Sequence, residues 1–556
     1  MHYLKRAIAP RFIRMAPPVA LSIMTAWVLS ACSLAPHYDK PSVGTPTAFK
    51  EDSAQPTAAV AAAGASDAGG GVEKAGDASQ WKVAAPSDQL PRGEWWRIFG
   101  DARLNDLEAR AASASPTLQA AFARVNESRA GRDSARADLF PTLGAGFGPT
   151  REKVSGASQL QPDNVSIPSQ TLWRAQASAS YEVDLFGRVS DNVRAARADA
   201  EQSDALYRSV LLTLQADVAQ QYFALRSLDA DHDVLKRTIA LRKQALGLVQ
   251  RRFADGDISE LDVVRARSEL ASAQSDAMTV ERQRATAEHR LAVLVGSTPE
   301  TFALPDSPLQ SVQVEVPAGL PSALLERRPD VAAAERAMAA ANARIGVAKA
   351  AYFPSLSLTG TAGFEAATLG DLFKWSSRAF LLGPLAGTAL TLPLFDGGRR
   401  HAQLAQSRAR FDEQAANYRS QVLGAFQEVE DSLSDLRILR TQRETEAVAV
   451  QASTRAATLS RRQYDEGEVD YLTVIDAERT ALQSERTATQ LAGVQAASTV
   501  ALIRALGGGW GDAAGQGQGA RPEGTVMGKA ESSGSTYRAQ DAGNGIAVAG
   551  NPAGHL

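Results

Sequence analysis

Two long stretches of this chain repeat one another at a nearly fixed spacing. Phe140-Pro141 returns as Phe353-Pro354, 213 residues on, and Ser115-Pro116 as Arg328-Pro329 at the same distance. Gly256, preceded by Arg251-Arg252-Phe253, is matched by Gly467 behind Arg461-Arg462 and Tyr464, 211 residues on. Leu294-Val295-Gly296 is echoed by Ala505-Leu506-Gly507 at that spacing. A period near 211 is far too long for a solenoid. It describes a duplicated, domain-sized unit, and two such units in one chain suggest a pseudo-symmetric tube, ring or channel.

Proline placement divides each unit. None occurs from 169 to 298 or from 394 to 521. Proline costs about 3 kcal/mol inside a helix, so these spans permit very long ones. Phe411, Tyr418, Val422, Phe426, Val429, Leu433 and Leu436 follow the helical period. The first half reads as a long helix over 190–255, roughly 100 Å, with shorter ones over 116–140 and 259–296. The second reads as a long helix over 397–466, with shorter ones over 329–353 and 468–506. In each half two short helices end to end match one long helix, the plan of a hollow helical cylinder.

After each Phe-Pro the period changes to two. Trp173, Ala175, Ala177, Ala179, Tyr181, Val183 and Leu185 alternate with Arg174, Gln176, Ser178, Ser180, Glu182 and Asp184. Leu356, Leu358, Ala362 and Phe364 alternate with Ser357, Thr359, Thr361 and Gly363. Residues 141–151 and 383–395 are the expected partner strands. This alternation fits a barrel strand between lipid and water, and equally a half-buried soluble sheet. Four strands cannot close a membrane barrel, and lipid does not tolerate open edges. A spanning sheet therefore requires copies: two give eight strands and a lumen filled by side chains. Three give twelve, which leaves room for transport.

The ends carry address information. Lys5, Arg6, Arg11 and Arg14 precede the short apolar run Ala16 to Val28, so 1–31 reads as a signal peptide. Leu29-Ser30-Ala31-Cys32 closes it and has the form of a lipobox, with lipid expected on Cys32. Ser33 follows, where an aspartate would have suggested inner-membrane retention. Cys32 is the only cysteine, which excludes a disulfide framework and a cysteine metal site. His2, His37, His232, His289, His401 and His555 are scattered, so no metal site is expected. The net charge of −3, with no basic stripe interleaved with aromatics, argues against nucleic acid. Segment 32–93 reads as an anchored stretch followed by a low-complexity linker over 42–93, and 511–556 as a disordered tail. Between them lie two structural repeats, 94–300 and 301–510.

These residues resemble the TolC-like outer-membrane efflux family, in its lipoprotein branch. The resemblance is carried by Cys32-Ser33-Leu34-Ala35-Pro36 with Tyr38 and Pro41, by Trp95-Trp96 with Phe99 and Asp101, and by Asp184-Leu185-Phe186-Gly187-Arg188. The second half adds Ala350-Ala351-Tyr352-Phe353-Pro354, Pro393-Leu394-Phe395-Asp396-Gly397-Gly398-Arg399 and Leu506-Gly507-Gly508-Gly509-Trp510. It implies a mainly α fold with a small β part: a long α-helical barrel under a 12-stranded transmembrane β-barrel shared by a homotrimer. It also implies a location in the outer membrane of a Gram-negative bacterium, among outer-membrane lipid. A periplasmic adaptor (membrane fusion) protein and an inner-membrane RND-type pump are the implied partners. No cofactor is expected beyond the lipid on Cys32. The long linker before Trp95 and the tail after Trp510 depart from the family pattern.

A duct performs no chemistry, so its functional residues gate or dock. Gly256 and Gly467 supply the positive-φ position at a helix end, and the resemblance makes these two turns the periplasmic tips that meet the adaptor. It also puts Asp476 at a pore gate where three aspartates would face one another, with Leu472, one turn earlier, at an apolar constriction. Like charges a few ångströms apart repel by about 1 to 4 kcal/mol, so protonation or cations should favour closure. Thr473 stands where a second gate aspartate belongs. Asp262 and Arg265 occupy the corresponding positions of the first half, which would allow an acidic ring paired with basic groups. Tyr464 either joins the hydrogen bonds that hold the tips or packs as a tip aromatic.

Two other readings compete: a lipid-anchored structural coiled coil, which would need no barrel strands, and a lipoprotein enzyme, for which no nucleophile–His–acid set is visible. Within the duct reading, drugs, dyes, solvents, metal ions and secreted protein all remain as cargo.

Overall fold

The computed structural model describes residues 33–40, 49–51, 93–153, 168–309, 327–382 and 390–508, all within one unit. The signal peptide, Cys32, most of the linker and the 511–556 tail lie outside the described residues.

The repeat governs the helices. After the short α1 (Ala102–Ala114), each half presents a 22-residue helix, α2 (Pro116–Ala137) or α5 (Pro329–Ala350). A 67-residue helix follows, α3 (Arg188–Ala254) or α6 (Arg399–Asp465). A 35-residue helix closes the half, α4 (Glu260–Leu294) or α7 (Tyr471–Ala505). The expected lengths were within a few residues of these, and the two halves match residue for residue. Proline opens α2 and α5 at the one turn where its missing N–H costs nothing.

The short helices meet end to end. A Cβ on Gly296 would lie 2.5 Å from the Ala114 carbonyl oxygen, and one on Gly507 only 3.2 Å from the Arg327 carbonyl carbon. The end of α4 therefore abuts the start of α2, and the end of α7 abuts the start of α5. At the second junction Arg328, 6% exposed, donates to the Ala505 carbonyl at 3.0 Å and pairs with Asp330 and Glu428. The largest apolar core surrounds this level, joining Trp95, Trp96, Leu104, Leu107, Phe223, Leu291 and Ile503.

The helices lie side by side in one layer. α3 packs against α2 and α4 on one flank and α5 and α7 on the other, while α6 packs against α5 and α7. Its opposite flank exposes Leu423, Ile438, Val448 and Leu459.

The sheet contains β1 (Thr142–Glu152), β2 (Gln170–Val183), β3 (Ser355–Ala366), β4 (Arg378–Leu382) and β5 (Leu390–Thr391), in the antiparallel order β1-β2-β3-β4. β5 pairs with β3 beyond β4. The strand expected over 383–395 is corrected: 378–382 and 390–391 are the paired stretches, 392–395 are unpaired, and 383–389 lie outside the described residues. Gly360 pairs with Leu382 and Ser355 with Thr391, so five steps along β3 correspond to nine along its partner. A fourth strand broken in this way does not alternate cleanly, which is why the pattern misled at that point.

Registered rows separate the faces. Ala145, Ala177, Ala362 and Phe380 lie across the sheet on one face, and Gly148, Arg174 and Glu365 on the other. Strands of 11, 14 and 12 residues are long enough to cross a bilayer when tilted. Among the described residues no helix is long and apolar enough to do so.

The N-terminal stretch lies as a strap on the helices. Ser33 donates to Asp191 at 2.8 Å, Asn342 to the Pro36 carbonyl at 2.9 Å, and Tyr38 to Glu335 at 3.0 Å. Gly346 leaves no room for a Cβ beneath it, since Asp191 would then be 2.0 Å away. Phe49 falls inside the stretch read as linker, yet it is 4% exposed against Val429 and Leu502. An isolated aromatic in a stretch of small residues has no periodicity to announce it.

Candidate functional site: the paired helical tips

Both long helices end in the same hydrogen-bonded turn. Gly256 (φ 82°) donates to the Phe253 carbonyl at 3.0 Å and Asp257 to that of Arg252 at 2.9 Å. Gly467 (φ 80°) donates to Tyr464 at 3.1 Å and Glu468 to Gln463 at 2.8 Å. This is the Schellman arrangement, which requires a left-handed residue just past the helix. The returning helices start differently. Asp470 caps α7 by accepting from Thr473 N at 3.0 Å and Thr473 Oγ1 at 2.5 Å, whereas Ser259 makes no side-chain cap on α4. Those two Thr473 bonds, reinforced by the field of Arg265, hold the Asp470 carboxyl below the usual range.

The tips share a small core of Val249, Val263, Ala266, Tyr464, Tyr471, Val474 and Ile475. Tyr464 is 7% exposed, 5.3 Å from the Tyr471 ring, and its hydroxyl has no partner among the described residues. Burial pushes the Tyr471 phenol up to about 12. Arg252 lies 4.9 Å from the Tyr464 ring centroid and donates to the carbonyls of Tyr464 and Asp465, each at 3.3 Å. Its cation thus sits at the negative end of α6 and ties the first tip to the second.

Leu472 and Asp476 lie one turn apart on the exposed side of α7, 38% and 64% exposed. Asp476 is not an isolated charge: Arg479 lies 3.7 Å from it and also pairs with Glu269 of α4. Arg265 lies 3.6 Å from Asp262 on its own helix, so within one chain its partner is not Asp476. An acidic position beside a basic one therefore occurs in both halves, but each pair is internal to a helix.

Sequence reasoning missed the clamps above the tips. Arg242 and Arg479 converge on Glu269, Arg486 meets Asp231 at 2.8 Å, and Arg237 meets Glu485 at 3.0 Å. The Arg486 and Arg237 pairs tie α3 directly to α7, across more than 240 residues of chain, and nothing local signals them. Among the described residues no group of three His, Cys, Asp or Glu could hold a metal.

The comparisons match this geometry. The model of the outer membrane efflux protein family matches residues 107–297 and 320–508, one segment per repeat. The pyoverdine export outer membrane protein OpmQ of Pseudomonas aeruginosa is 34% identical over 440 residues, 78% of this chain and 91% of that protein. The cation efflux system protein CusC of Escherichia coli is 30% identical over 500 residues, 89% of this chain and all of that one. The solved outer-membrane channel OprN superposes with a TM-score of 0.74 at 28% identity, covering 86% of this chain and all of that one. The chain belongs to the outer membrane efflux protein family: it is an outer-membrane efflux channel reaching into the periplasm, and not an enzyme.

Proposed function

We propose that three copies of this channel protein close a common duct, through which small molecules delivered by an inner-membrane RND-type pump leave the cell. The observation that carries this is the incompleteness of one copy. Among the described residues β1 and the β4/β5 strand are unpaired edges, and no helix packs on α6 at the flank where α3 has α2 and α4. In lipid an unpaired edge is costly, and a second copy offers the matching one. β1 runs away from the helices and β4 back toward them, so the two edges would meet antiparallel. Three copies supply the twelve-stranded barrel.

Cys32 carries lipid on this reading. Ser33, the next residue, is bonded to Asp191 in the first turn of α3, which brings the anchor to the strand end of the helices. The turns at Gly256 and Gly467 face the adaptor protein. Leu472 and Asp476 narrow the pore, with Arg479 lowering the mutual repulsion of three Asp476 carboxylates. Asp262 with Arg265, and the buried Tyr464, hold the tips rather than line the opening. Cargo is chosen by the pump: pyoverdine is named for one relative and cations for another, on the same channel architecture.

Planar-bilayer recording of the purified protein tests the duct. The unaltered protein should conduct weakly, and Asp476→Ala and Leu472→Ala should each raise conductance and admit large antibiotics to cells. Unchanged conductance and drug entry in both variants would remove these residues from the gate. Absence of any conductance would overturn the duct itself.

A further inference from the structure

The apolar face of the sheet changes character along its length. Near the helices it carries Leu143, Tyr181, Val183 and Leu358, with no charge among them. At the far ends the same face turns basic. Arg151 lies opposite Thr171 in the outward set, and Arg378 lies opposite Phe364. The strand carboxylates at that level, Glu152 and Glu365, are on the opposite face, held by Arg174 at 2.8 and 2.9 Å, and Asp371 in the turn before β4 is held by Lys374. The sheet thus sends its acids inward and its unneutralised bases outward.

The turn before β4 completes the surface. Phe373 packs 5.6 Å from Phe364, so the turn folds back onto the outward face, above a fully buried Leu372. Trp375 is 77% exposed, with the Arg378 guanidinium over its ring. Arg378 spends one donor on the Trp375 carbonyl at 2.7 Å, and Arg151, among the described residues, bonds the Ser169 hydroxyl at 3.4 Å. Among the described residues neither guanidinium meets a carboxylate. An aromatic platform with free guanidinium donors beside it suits a ligand that is apolar below and anionic above.

We propose that this patch binds the phosphorylated glycolipid of the outer leaflet, its phosphate on Arg378 and Arg151 and its acyl chains against Trp375 and Phe373. The assignment rests on the strands crossing the outer membrane with the helices on the periplasmic side, which puts the far strand ends in the outer leaflet. Closing the barrel would bring β4 beside β1 of the next copy, so the two arginines at each site come from different chains. One glycolipid would bridge each seam.

The test uses the full chain in detergent, incubated with bis-phosphorylated lipid A or with the same lipid stripped of phosphate, and counts retained lipid by native mass spectrometry. The unaltered protein should retain the phosphorylated form about thirtyfold better, the scale set by two basic groups at a membrane surface. The Arg151→Glu/Arg378→Glu double variant should lose that preference while keeping its bilayer conductance. If the charge reversal prevents assembly, the Arg151→Gln/Arg378→Gln pair gives the same reading. Equal retention of both lipids by the unaltered protein, or an undiminished preference in the variants, would overturn the site. Displacement of the lipid by inorganic phosphate alone would assign a free-anion site and overturn the lipid assignment. Loss of conductance in the unaltered protein would strike the duct reading instead.

Discussion

α3 and α6 occupy the same place in the two repeats and have the same length, yet α3 buries 22 of its residues and α6 only seven. The charged clamps follow the same division. Asp231, Arg237 and Arg242 of α3 reach α7 or α4, while the residues 211 positions on, Gln442, Val448 and Ser453, carry no charge. Duplication preserved length and turn geometry while the two flanks diverged: the seam inside a chain is closed by ion pairs, and the open flank of α6 exposes Leu423, Ile438, Val448 and Leu459 among charges such as Arg419 and Arg455.

The clamps give the largest expected effect. Arg486→Met leaves Asp231, 5% exposed, without its cation and should cost about 3–5 kcal/mol, read as a lower thermal midpoint in detergent. The counterpart on α6, Gln442→Ala, should stay within about 0.5 kcal/mol. Equal losses at the two positions would erase the distinction between the seams.

Truncation of the cores comes next. Leu225→Ala, fully buried on α3, should cost about 2–5 kcal/mol of stability. Leu423→Asp, 56% exposed on α6, should leave the chain folded but move it from trimer to monomer on a native gel. A trimer that survives Leu423→Asp would contradict the open-flank reading.

Glu108 of α1 adds a pH-dependent difference confined to the first half. It is fully buried, neither carboxyl oxygen has a partner among the described residues, and burial pushes it up to about 9. Its folded value exceeds its unfolded one, so stability is greatest in acid and falls as pH rises from the ordinary carboxylate range toward 9. Glu108→Gln should therefore raise the thermal midpoint more at pH 8 than at pH 5. A gain independent of pH would mean that Glu108 is already ionised.

The tips should differ least. Each glycine has open space where a methyl group would stand, so Gly256→Ala and Gly467→Ala should cost only the left-handed backbone penalty, about 1–2 kcal/mol each. Unequal costs would mean that the two turns are less alike than their hydrogen bonds.

Much of this was legible in the sequence because it is periodic. Proline-free spans gave the helices, alternation gave β2 and β3, and paired glycines gave the turns. The contacts that distinguish the two seams were not legible. Arg252 lies in a motif that repeats, but its partners are carbonyls more than 210 residues away. Arg479 and Arg486 sit among many arginines on good helix formers, and only the packing of α7 selects their acids. The broken fourth strand was lost for a related reason, since its pairing partner lies on β3 and not within its own pattern.

The matched helix lengths have a hereditary consequence. Within each half, a residue gained by the long helix has to be answered in the pair beside it, or the junctions at Gly296 and Gly507 no longer close. Single insertions in α3 or α6 should therefore be lost from a population. Growth of the chain is confined to places outside this ruler, and the sequence segments 42–93 and 511–556 both lie there.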